Sequence, residues 1–74
     1  MINTDDFVSD EQKINIVSGR LSQFAEEAYQ YQLNLKTAEA IGAEEQVEKI
    51  KKSLSALENA IKVHQEELRR IQSK

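Results

Sequence analysis

Cysteine, proline and tryptophan are missing from this chain of 74 residues, glycine occurs only twice, and two tyrosines and two phenylalanines are its only aromatic residues. Each absence excludes something. Without cysteine there is no disulfide framework, no thiol nucleophile and no thiolate metal site. That usage fits a reducing compartment, and the cytoplasm is the expected location. Without proline, and with so little glycine, nothing forces frequent turns, so a composition rich in Glu, Lys, Gln, Ala, Leu and Ile favours long helices. No apolar run approaches the roughly 20 residues that cross a bilayer, so no membrane partner is expected. Met1 to Val8 carries two aspartates and no basic residue, which is not the make-up of a secretory signal. The net charge is only −3, so the chain as a whole is no magnet for nucleic acid. With 39% hydrophobic residues, periodically spaced, it is not a disordered acidic segment either.

What is present is a mirror. Ile14, Val17, Leu21, Phe24, Ala28, Tyr31, Leu35 and Ala38 step alternately by three and four residues. Val47, Ile50, Leu54, Leu57, Ile61, His64, Leu68 and Ile71 repeat the same steps. Paired from the outside in, the two sets reflect about a point between Gly42 and Ala43. This is the spacing of an all-α chain folded back on itself as an antiparallel two-helix hairpin with a coiled-coil seam. Helix 1 is expected over about 10–41, the turn at about 42–43 and helix 2 over about 44–73, with residues 1–8 as a partly ordered leader. Each helix is then about 46 Å long. One continuous helix would keep its heptad through the centre and place Gly42 and Glu45 in the core. The observed phase change matches neither a single stutter nor a single stammer, and it coincides with the glycine.

Local signals agree. Ser9 followed three residues later by Gln12 is a capping box, and Asp10 and Glu11 complement the dipole of the first turn. A cap at Asn3 or Thr4 would start the helix earlier. Phe7, one heptad before Ile14, is expected to cover the open end near Leu68 and Ile71. Gly42 suits a left-handed helix end. Helix 2 opens on Glu44 and Glu45 and closes on Arg69, Arg70 and Lys74, matching its dipole at both ends. It has no Ser, Thr or Asp cap, so Gly42 or Ala43 must serve. The mirror predicts layers pairing Ile14 with Ile71, Val17 with Leu68, Leu21 with His64 and Phe24 with Ile61. Small then meets large where Ala28 faces Leu57 and Ala38 faces Val47. Arg20 and Glu67, of opposite sign, are expected to meet beside the seam.

Two helices of this size bury too little apolar surface to offset the entropy of ordering them, so the chain should recruit more surface. Ser18, Ser22, Ala25, Tyr29 and Leu33 run beside the seam on helix 1, and Ser53, Ala56, Ala60 and Val63 do so on helix 2. Small or neutral side chains there would let another helix approach, and the expected outcome is a homodimer or higher assembly, most simply two hairpins forming a four-helix bundle. The alternative is that these are ordinary half-exposed small side chains. The layout resembles Rop-like helical hairpins, which pair into four-helix bundles. That likeness is one of architecture and implies no function.

Sites for chemistry are scarce. His64 sits in the seam and is a candidate pH-sensitive position, since protonation would place charge there. The commoner arrangement is a histidine whose ring edge reaches solvent. Di-iron bundles carry Glu three residues before His, where this chain has Ile61, and one histidine without cysteine does not make a zinc site. Glu26 with Glu27, and Glu44 with Glu45, read as solvation and dipole partners. No catalytic motif is present, so no cofactor, metal or enzymatic activity is expected. Lys49, Lys51, Lys52, Arg69 and Arg70 make helix 2 the more basic helix and are candidate phosphate contacts. Glu48, Glu58 and Glu66 interrupt them, and no aromatic residue interleaves. The expected function is a non-enzymatic assembly or adaptor module acting through self-association and contact with another protein, with the Tyr29 and Leu33 surface or the ends of the hairpin as the partner site. The alternative is a small regulator binding nucleic acid through helix 2, which a salt-dependent gel shift would reveal.

Overall fold

The computed structural model describes residues 7–73. Two helices account for nearly all of them: α1 spans Asp10–Ile41 and α2 spans Glu44–Gln72, and the two pack against each other along an antiparallel hairpin. The molecule is a flat rod with extents of 51 × 23 × 17 Å. Among the described residues, no helix is long and apolar enough to cross a membrane.

The boundaries follow from local chemistry. The Ser9 hydroxyl accepts a hydrogen bond from the Gln12 backbone N–H at 3.1 Å, and the Ser9 N–H donates to Gln12 Oε1 at 2.9 Å, closing the capping box. Ser9 is extended (φ −68°, ψ 160°), so the helix begins at Asp10. The alternative caps, Asn3 and Thr4, lie outside the described residues. At the other end Gly42 turns left-handed, with φ 74°. The Ala43 N–H donates to the Ala38 carbonyl at 2.9 Å and the Gly42 N–H to the Glu39 carbonyl at 3.3 Å, a Schellman closure that satisfies the last carbonyls of α1. Ala43 then caps α2 with no side-chain hydrogen bond.

Every member of both mirrored sets is buried or half-buried, and every residue between Ile14 and Ala38 off the seam is exposed. On α2 the off-seam exceptions are Ser53, Ala60 and Glu67, each half-buried and spaced by sevens along one flank. The single continuous helix is excluded by the reversal at Gly42. The Phe24 and His64 rings meet edge to face, with centroids 4.9 Å apart. Phe24 thus reaches one layer beyond Ile61, its mirror partner.

Two expectations need correction. Phe7 is 73% exposed and does not cover the open end. Val8, half-buried, lines a recess with Val17 and Ile71 there, because the extended Ser9 breaks the helical phase that would have carried Phe7 onto the seam. Arg20 and Glu67 do line one recess, but the Glu67 carboxylate is held within its own helix: the Arg70 Nε–H donates to Glu67 Oε2 at 3.1 Å, and a second Arg70 nitrogen donates to Oε1.

The core is thin. Among the described residues only Val17, Ala38 and Ile71 are buried, at 8%, 2% and 4% exposure, and no large side chain is fully buried.

Candidate interaction surfaces

A two-helix rod has two broad faces, and the recesses along the seam show which residues share each. On one face the lining residues include Ile16, Arg20, Val63, His64 and Glu67 toward the chain ends. Glu27, Gln30 and Asn34 line it in the middle, and Thr37, Gln46 and Lys49 toward the turn. On the other face Glu39, Glu44, Val47 and Glu48 line a recess beside Gly42. Residues seven apart on a helix lie on nearly the same side. Glu39 therefore shares its flank with Ser18 and Ala25, whereas Asn34 shares its flank with Arg20, Glu27 and Ile41. On α2, Gln46 and Glu67 share theirs with Ser53 and Ala60.

The candidate self-association stripes are thereby separated. Ser53, Ala56, Ala60 and Val63 of α2 belong to the face of Ile16 and Arg20. Ser18, Ser22, Ala25 and Tyr29 of α1 lie on the opposite face, and Leu33 points away from α2. All five of these α1 residues are exposed, Tyr29 at 62% and Leu33 at 45%. The nine residues do not form one surface. Sequence reasoning missed Ile16 and Ile41, exposed at 50% and 71%. Both join the α2 stripe on its own face, and the signal that could have found them is their seven-residue relation to Gln23 and Asn34.

His64 is half-buried, and its Nδ1 lies 2.7 Å from the Ala60 carbonyl one turn earlier. As a donor, Nδ1–H satisfies one ring nitrogen locally. The ring also lines the recess of Ile16, Arg20 and Val63, so it combines a seam contact to Phe24 with access to that face.

The basic residues of α2 do not converge. Lys49 lines the Ile16 face, where Arg70 shares its flank near the far end of the helix and is bonded to Glu67; helical phase puts Lys51 and Arg69 on the other face, and Lys52 points outward. Acidic residues alternate with them, so no continuous positive strip forms of the kind that tracks a phosphate backbone. Among the described residues, no group of three or more His, Cys, Asp or Glu could hold a metal ion. The recesses are open troughs between two ridges rather than enclosed pockets. Compared with protein-family models, curated proteins and solved structures, the chain matches none.

Proposed function

We propose that this protein is a non-enzymatic assembly or adaptor module that works by self-association and by contact with another protein. The carrying observation is the thin core: only three described side chains are buried and no large one fully so, while Ile16, Ile41 and Val63 stand out on one face. A long hairpin whose seam stays half-wet gains most by covering that seam from the side. The separation of the stripes supports a division of labour. One face pairs copies, and Tyr29 with Leu33, flanked by Glu26, Gln32 and Lys36, remains available to a protein partner.

Sedimentation equilibrium at micromolar concentration tests the reading, with a mass of at least twice the single chain expected. A monomer with a fully cooperative helical melt would overturn it. Tyr29→Ser with Leu33→Ser should leave that mass unchanged, because those side chains lie away from the pairing face.

A further inference from the structure

We infer that a second copy of the chain docks antiparallel on the Ile16 face, helix α2 against helix α2, about a two-fold axis level with Glu58. This rests on the self-association proposed above and adds its face, direction and register. Along α2 this face reads Lys49, Ser53, Ala56, Ala60, Val63, Glu67, a second run of alternating three- and four-residue steps beside the main seam. Laid against itself in reverse, it reflects about Glu58. Ala56 then meets Ala60 of the second copy, Ser53 meets Val63, and Lys49 meets Glu67. Small side chains at the centre let the two backbones approach, small faces large on either side, and at both ends Lys49 adds a second cation to the Glu67 carboxylate that Arg70 already holds. Every contact occurs twice, as a two-fold interface requires.

Three further observations point to this face and this direction. Ser53, Ala60 and Glu67 are already half-buried within one hairpin, so a partner has little left to dehydrate there. Ile16 and Ile41, 50% and 71% exposed, lie at opposite ends of α1. Only an antiparallel partner brings Ile16 of one copy to Ile41 of the other. The rod is 51 Å long and 23 Å wide, so one broad face offers on the order of 1,000 Å², above the roughly 800 Å² per partner of a standard stable interface. The opposite face lacks this complementarity: a two-fold at the same level there would set Glu58 against its own copy and Lys51 against the uncharged Gln65. The register also has a built-in cost: Glu27 lies level with the axis, so the two copies of Glu27 come close together.

The chain lacks cysteine, so introduced pairs report cleanly. Ser53→Cys with Val63→Cys places two thiols too far apart to join within one helix. Under oxidation this variant should give a closed covalent dimer with no higher ladder. Ser22→Cys with Tyr29→Cys, on the other face, should not. Lys49→Glu should weaken the dimer about tenfold, with Glu67→Lys added to it restoring most of the loss, and Glu27→Gln should tighten it about tenfold, helicity staying constant throughout. A native dimer that fails to crosslink through Ser53→Cys and Val63→Cys, or is indifferent to Glu27→Gln, overturns this register and leaves self-association standing. A monomer overturns both, and a ladder of higher species overturns the closed two-fold.

Discussion

At the scale of single residues, the two glycines have opposite roles. Gly42 holds φ 74°, a conformation that costs a side-chain-bearing residue about 1–2 kcal/mol, although a Cβ there would meet nothing within 4 Å. Gly19 lies inside α1 with equally open space. Gly42→Ala should therefore destabilise by about 1 kcal/mol or more, and Gly19→Ala should stabilise by about 1 kcal/mol. Urea denaturation of the two variants checks both signs. Both roles were legible in the sequence, Gly42 from its place at the phase change and Gly19 from its place off the seam. The partner of Glu67 was not. Arg20 lies across the seam and Arg70 one turn along the same helix, and spacing alone cannot say which of two nearby guanidinium groups a carboxylate will take.

At the scale of elements, the caps are unequal. The Ser9 capping box satisfies the start of α1, whereas Ala43 offers α2 no side-chain acceptor. Ser9→Ala should cost about 1 kcal/mol, and Ala43→Ser should add up to about 1 kcal/mol by supplying the missing acceptor, both read as shifts of a thermal midpoint. The end of α1 carries no basic residue, and Glu39 lies near Glu44 across the turn, against the dipole preference. Glu39→Lys should gain about 0.5 kcal/mol at low salt and less as salt is raised. The helix boundaries were readable because their determinants are local: a serine three residues before a glutamine, a glycine at a phase break. Phe7 defeated the same reasoning, since its heptad spacing assumed a helix that the extended Ser9 does not continue.

At the scale of the whole molecule, the hairpin is a seam with too little around it. If a second copy supplies the missing cover, stability includes an association term. The thermal midpoint should then rise by several degrees as concentration goes from about 1 to about 100 μM. Ile16→Asp should abolish that dependence, because a charge would have to be buried against Ile41 of the other copy. Tyr29→Asp should not. A midpoint independent of concentration in the native chain would mean the hairpin stands alone.

The residues themselves determined the seam, the turn and the caps. All are set by the helical period and by side chains within a few positions of one another, and periodicity is a one-dimensional property. Sidedness was decided by the tertiary structure. An antiparallel fold turns α2 around, so the flank bearing Ser53 and Ala60 joins the flank bearing Arg20 and Asn34, and the stripe of Ser18 and Ala25 is left behind on the other face. Two stripes that look equivalent as spacings thus become opposite surfaces, because handed helices brought together in reverse meet along only one matching pair of flanks on each face.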